Sequence, residues 1–397
     1  IVKKFGGTSV RSPDRIKVIA EKAIEAKKEY DNIIVVVSAM GDTTDQLVKL
    51  CKDISNNPEL REYDALISTG ENISASLLAM CIHAKGEKAI SLTGQQAGIL
   101  TETNHSKAKI LTIDTQRIRE ELDKGNIVIV TGFQGINMSA DITTIGRGGS
   151  DTSAVAIAAA VEAEECEIYT DVDGVYTTDP RRIKDAQKLS EISYEEMLEL
   201  ASMGAKVLHP RAVECAKENN ITLHVRSSFN NVIGTKVKEA NHLEVSIPVT
   251  GIAFNDKEAI ISLHGIPDHP GNAGILFKRL GENNINVDMI VQNVAKDEEN
   301  NISFSVIEDD FEQALAITED VKNELQAKGI TSQPLIAKIS AVGVGMISKP
   351  GVAARMFTAL GEANINILRI TTSEIKVSCA IQREDLDKAI EALHNEF

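Results

Sequence analysis

The chain has 397 residues, 43% hydrophobic and 25% charged, which is enough apolar mass for two or more packed domains. A net charge of -16 repels nucleic-acid backbones, and 4% aromatics with no tryptophan leave no stacking platform for single strands, so nucleic acid is excluded as a partner. Five cysteines without CxxC spacing point to reduced thiols in a cytoplasmic protein, and no membrane partner is expected, since no apolar run nears the ~18 residues of a span and residues 1–10 hold no apolar leader core.

The first strand runs into Lys4-Phe5-Gly6-Gly7-Thr8-Ser9-Val10. Two adjacent glycines remove two Cβ atoms and permit positive φ, so this turn either presents N–H groups to a phosphate or only reverses the chain. Ser12-Pro13-Asp14 supplies an N-cap, a first-turn proline and an early acid, predicting a helix that buries Ile16, Ile19, Ala20, Ala23 and Ile24. Ile33 to Val37 reads as a strand covered on both faces, with the polar loop Ser38 to Thr44 behind it. The alternation of strand and helix continues through Leu66 to Glu71, where a carboxylate opens a helix reaching about Ala84, and through strands near Ala89 to Leu92 and Ile127 to Thr131. This is the rhythm of a doubly wound α/β domain.

Gly146-Arg147-Gly148-Gly149-Ser150-Asp151 precedes an alanine-rich helix, so N–H groups, a hydroxyl and a guanidinium converge at the positive end of a helix dipole. Arg147 can grip a carboxylate in two places and Asp151 can accept an ammonium, a pair suited to an amino acid; the alternative is a capping acid beside a solvated arginine. A strand over Glu167 to Thr170 then leads into Asp171-Val172-Asp173-Gly174, whose spacing lacks the final glutamate of a calcium loop. Lys206 and His209 follow between two helices, either as a surface lysine and a packing histidine or as part of a site.

Taken together, Lys4 to Val10, Val37 to Gly41, Ser68 to Glu71, Gly146 to Asp151, Thr170 to Arg181 and Lys206 to Pro210 resemble, in that order, the signatures of the aspartokinases. The resemblance implies the amino-acid kinase fold, a doubly wound, mainly parallel sheet, over 1–229, and phosphoryl transfer from ATP to the side-chain carboxylate of L-aspartate. By matching, Lys4 and Lys206 stabilise the transferring phosphoryl group and Arg147 clamps the substrate α-carboxylate. Ser38, Thr44, Glu71, Ser150 and Asp151 line the amino-acid pocket. Lys4, Gly6, Gly7, Ser9, Thr170, Asp171, Tyr176, Arg181 and Lys206 hold the nucleotide. Mg²⁺ is expected as the ATP complex, with no protein ligand named. The rival readings are another amino-acid kinase and a catalytically silent sensor.

Residues 230–244 read as a connector. Beyond them, Pro270 to Ile290 and Pro350 to Ile370 share eleven of twenty-one residues, an internal repeat of βαββαβ units. The second copy lacks a closing strand, while Val249 to Phe254 is a strand without a unit. Two interleaved modules are therefore expected: 257–336 inserted into one built from 245–256 plus 337–397. The Pro-Gly loop and the Asn-Ile-Asn strand entry resemble ACT domains. That resemblance implies an amino-acid effector site at a subunit interface, made from Gly271, Asn272, Ala273, Asn286, Val287 and Asp288. L-lysine is the expected effector, threonine alone or with lysine the open alternative, and a homodimer or dimer of dimers the expected assembly. Leu368 stands where the first copy has Asp288, so the two copies are not expected to be equivalent.

Overall fold

The structure, a computed structural model, describes residues 1–203, 207–240, 247–294 and 299–397. The chain divides into one unit made of 1–175, 188–202 and 206–242 and another made of 176–187, 203–205 and 243–397.

The first unit is built on an eight-stranded sheet. Its order is Glu191–Ser193, Thr235–Lys238, Leu223–Ser227, Cys166–Thr170, Val2–Phe5, Ile34–Val37, Ile127–Thr131 and Ala89–Leu92. Every neighbouring pair is parallel except Leu223–Ser227 with Thr235–Lys238. The helix Pro13–Ala26 starts where its cap predicts, with the Ser12 side chain accepting from the Arg15 N–H at 3.3 Å, and it buries Ile16, Ile19, Ala20 and Ala23. From Val2–Phe5 the chain winds first one way, to Ile34–Val37, and later the other, to Cys166–Thr170, so a topological switch point lies at the carboxyl ends of these strands. The turns at Gly6, Ser38 and Gly132 all leave the sheet at that edge.

Three features differ from the expectation. The regular alternation breaks after Ile34–Val37, because three helices, Thr43–Ile54, Leu60–Ile67 and Thr69–Ala84, follow one another without a strand. The last two reach a length and apolarity that would suit a membrane span, yet the buried carboxyl groups of Asp64 and Glu71 sit among them. A second, four-stranded sheet of Ile110–Ile113, Ile99–Thr101, Gln134–Ile136 and Ile142–Thr144 carries the chain into the Gly146 loop. Finally, the expected connector contributes the strand Thr235–Lys238, whose Thr235 and Val237 are fully buried, so the first unit extends past Phe229.

The second unit holds a six-stranded antiparallel sheet in the order Ile290–Val294, Glu299–Ile307, Gly251–Pro267, Gly329–Val342, Lys376–Gln382 and Arg369–Thr372. It is a pair of interleaved βαββαβ modules. The two central strands belong to both: Gly251–Asn255 pairs with Lys338–Val342, and Glu258–His264 pairs with Gly329–Ile336. What the sequence presents as four short strands is thus two long ones. Helices Asn272–Glu282 and Phe311–Glu324 close one core over Leu276, Leu280, Phe304 and Val321, and Val352–Glu362 and Leu386–Glu396 close the other over Met356, Leu360, Cys379 and Leu393. The sequence repeat is also a backbone repeat: Gly271 and Gly351 cap their helices at φ 102° and 101°, and Asn284 and Asn364 take φ 58° and 53°.

Candidate active site

At the switch point lies a cleft of about 220 Å³, lined by Lys4, Gly7, Ser38, Ala39, Gly41, Thr44, Glu71, Phe133, Gly146 to Gly149, Ser150 and Asp151. Eight residues expected from sequence meet here: Lys4, Gly7, Ser38, Thr44, Glu71, Arg147, Ser150 and Asp151.

The glycines are fixed by close approach. Gly6 and Gly7 do not use positive φ; a Cβ on Gly6 would meet Lys4 Nζ at 3.3 Å, and one on Gly7 would meet the Ala39 carbonyl at 3.0 Å. Their bareness lets the lysine lie over the turn and lets the turn press on the Ser38 loop. Gly148 has both constraints, with φ 72° and the His209 ring 2.2 Å from where its Cβ would stand. Burial lowers the His209 pKa, consistent with a neutral packing ring.

Charge in the cleft is arranged in a way the sequence does not reveal. Lys4 and Asp151 form an ion pair at 2.5 Å, both largely buried, so Asp151 already has a cationic partner. Glu71 is 3% exposed; one carboxyl oxygen accepts from the Ala39 N–H at 3.0 Å, and the other has no partner among the described residues. Burial pushes its pKa up to about 7, against the pull of the backbone N–H groups. Arg147 is exposed at the rim. Phe133, with φ 71° and its N–H donated to Ser153 Oγ at 3.1 Å, closes one wall. Sequence reasoning missed it, because its contribution comes from backbone shape; the preceding Gly132 is the only hint, a Cβ there falling 2.7 Å from Ser150 Cβ.

The wall carrying Arg147 is tied down from behind. Asp64, fully buried, accepts from His105, from the Ser106 N–H and from both the N–H and hydroxyl of Thr144, at 2.7 to 3.0 Å. Arg211 donates to the Ile145 carbonyl at 2.6 Å.

Other expected residues lie outside this lining. The Gly6 N–H is spent on the Tyr169 carbonyl at 3.3 Å. Ser9 shares a hydrogen bond with Ser228 Oγ at 2.6 Å, and Ser228 donates to the Thr170 carbonyl. Thr170 Oγ1 donates to Asp171 at 3.0 Å. Tyr176 and Arg181 fall in the second unit, where Arg181 forks onto Asp179 and holds that carboxyl below its usual range. Lys206 lies outside the described residues. The described residues offer one cluster of metal-ligand type, Glu165, Glu167 and His224, but Lys3, Arg226 and Lys236 already neutralise it.

In the second unit the two halves of the expected effector site do not meet within one chain. Gly271, Asn272 and Ala273 follow Pro267, whose carbonyl accepts from Asn272 Nδ2 at 2.8 Å. The Asn286-Val287-Asp288 segment sits at the other end: the Asp288 N–H bonds to the Ser305 carbonyl, and Ser305 is the register partner of Ile260. Seven residue steps of strand run from Ile260 to Pro267, roughly 20 Å at ~3.3 Å per residue.

Comparison with known proteins agrees with this layout. The amino acid kinase family matches residues 1–227, and the ACT domain matches 261–320 and 339–397. An aspartokinase of Bacillus sp. (strain MGA3) is 52% identical over 100% of this chain and 97% of its own length. The aspartate kinase structure from Synechocystis is 45% identical, with a TM-score of 0.56 over 99% of this chain and 68% of that one. E. coli aspartokinase III, solved with aspartate and ADP, shares the fold at a TM-score of 0.80 and 24% identity over 100% and 99% of the two chains.

Proposed function

The chain belongs to the aspartokinases, and on that premise we propose how its cleft transfers phosphate. The reading rests on one observation: Lys4, Glu71 and the Arg147–Asp151 pair, carried by three separate segments of the chain, line a single cleft at the switch point. The reaction is ATP-dependent phosphorylation of L-aspartate to 4-phospho-L-aspartate, the entry step to lysine, threonine and methionine synthesis.

Arg147 grips the α-carboxylate from the rim, and ionised Glu71 receives the ammonium on its unpaired oxygen. The ammonium seat thus moves from Asp151, which is engaged by Lys4, to Glu71. Ser38, Thr44 and Ser150 complete the pocket. An oxygen of the side-chain carboxylate bonds to the γ-phosphorus as the bond to the β,γ-bridging oxygen breaks, and ADP leaves with that electron pair. The nucleophile is already ionised at neutral pH, so no general base is needed. Lys4 stabilises the charge spreading over the transferring group, with Lys206 on the other side by family resemblance. By family resemblance, Gly6, Gly7, Ser9, Thr170 and Asp171 of the first unit serve the nucleotide. Mg²⁺ accompanies ATP on its phosphate oxygens; with Asp151 paired and Glu71 buried, neither carboxyl suits a dedicated ligand.

We assign the regulatory half to an amino-acid effector, L-lysine first, with module 257–336 seated inside 245–256 plus 337–397. Because Gly271 and Asp288 sit at opposite ends of one copy, a second copy completes the site, which favours a cytoplasmic homodimer or dimer of dimers joined through these modules. The test of the catalytic reading is Arg147→Ala. The aspartate KM should rise about ten- to a hundredfold with the ATP KM unchanged. An effect confined to ATP would remove Arg147 from the carboxylate.

A further inference from the structure

We propose that Lys338 is an internal counter-ligand of Asp288, shared with Glu258 and shifted wholly onto Glu258 when an amino-acid effector arrives. The inference rests on the reading of Asp288 as an effector ligand.

Lys338 and Glu258 are among the most buried charged residues of the second unit, 3% and 2% exposed. The Lys338 ammonium contacts Glu258 Oε1 at 3.2 Å and also the carboxylate of Asp288, whose side chain is 46% exposed. Asp288 is therefore not an empty seat; an ammonium of this chain already occupies it. An effector ammonium that takes the Asp288 oxygen now held by Lys338 displaces that contact, and a buried lysine left without a close counter-charge is costly. Glu258 provides the alternative. Its Oε1 also accepts from Asn255 Nδ2 at 3.1 Å, while its Oε2 is buried with no partner among the described residues. That second oxygen can take the contact Lys338 gives up, so the cation stays paired in both states.

The place matters as much as the chemistry. The long strand Gly251–Pro267 breaks register between Asn255 and Glu258 and again before Ile260, and Lys338 is the register partner of Asn255. This irregularity marks where the two modules join, and it aims Glu258 at the lysine. Exchange would move a buried charge contact at that junction, giving effector binding a physical consequence beyond its own pocket.

The experiment is calorimetric titration of the full chain with L-lysine and, in parallel, L-threonine. Glu258→Gln leaves Lys338 dependent on Asp288 and should weaken effector binding about tenfold; Lys338→Met with Glu258→Leu removes competitor and counter-charge together and should tighten it about tenfold. Melting curves confirm that both variants fold. Shifts of opposite sign support the exchange, whereas equal weakening in both, or no change in either, overturns it. Asp288→Ala separates the two readings. If it binds effector like the wild type, or if neither amino acid binds the wild type, the effector reading falls and the exchange with it. If Asp288→Ala loses binding while both Glu258 variants match the wild type, only the exchange falls.

Discussion

Glu71 sets the pH behaviour of the cleft. Its folded pKa of about 7 lies above the ordinary value of 4.5, so the folded state keeps this proton where the unfolded chain has lost it. Stability therefore falls as pH rises from about 4.5 to 7 and stays reduced above that, a cost of roughly 3 kcal/mol at ~1.4 kcal/mol per pH unit. Glu71→Gln should melt higher than the wild type at pH 8 and at nearly the same temperature at pH 4. Substrate binding has the opposite slope, since only the ionised carboxyl pairs with an ammonium: the wild-type aspartate KM should climb as pH falls through 7, and the variant's should be high and flat. A wild-type KM independent of pH between 6 and 8 would take Glu71 out of the ammonium seat. Lys4→Ala should lower kcat by about a hundredfold or more with little change in ATP affinity, because its charge acts on the migrating phosphoryl group. At this scale residue types were legible and partnerships were not. Lys4 and Asp151 are 147 positions apart, and nothing in either local sequence shows that they neutralise each other.

At the scale of elements, the loop from Gly146 to Asp151 packs its Gly148 directly on the His209 ring. A methyl group on Gly148 would strike the His209 ring and also require an unfavourable positive φ. Gly148→Ala should cost about 2 kcal/mol or more and raise the aspartate KM, whereas Gly125→Ala, also at positive φ but with nothing within 4 Å, should cost only about 1 kcal/mol and leave kinetics intact. Thermal melts of the two variants side by side check this. The helix Pro13–Ala26 was readable because cap, proline and apolar spacing all agree. The four-stranded sheet was not, since its strands of three or four residues are too short to show a period, and Thr235–Lys238 was hidden in a polar stretch whose alternate residues Thr235 and Val237 turn inward.

At the scale of the whole molecule, the repeat carried most of the information. An offset of 80 residues predicts the same backbone course in both copies, though not the same chemistry, and the matching φ values at Gly271 and Gly351 agree with that course. The continuous central strands were harder to see, because the polar Asn255-Asp256-Lys257 run reads as a boundary although the chain passes through it as a bulged strand. Asp288→Ala should keep basal turnover while blunting inhibition by the effector; loss of turnover without effector would make the site structural instead. The central claim is an aspartate-directed phosphoryl transfer under amino-acid control, and the most direct measurement is hydroxylamine trapping of the acyl phosphate. Purified protein would be supplied with ATP and L-aspartate, with and without lysine. The account predicts hydroxamate that requires aspartate and declines as lysine is added. Hydroxamate formed from L-glutamate and not from L-aspartate, or none at all from a folded protein that still binds lysine, would contradict it.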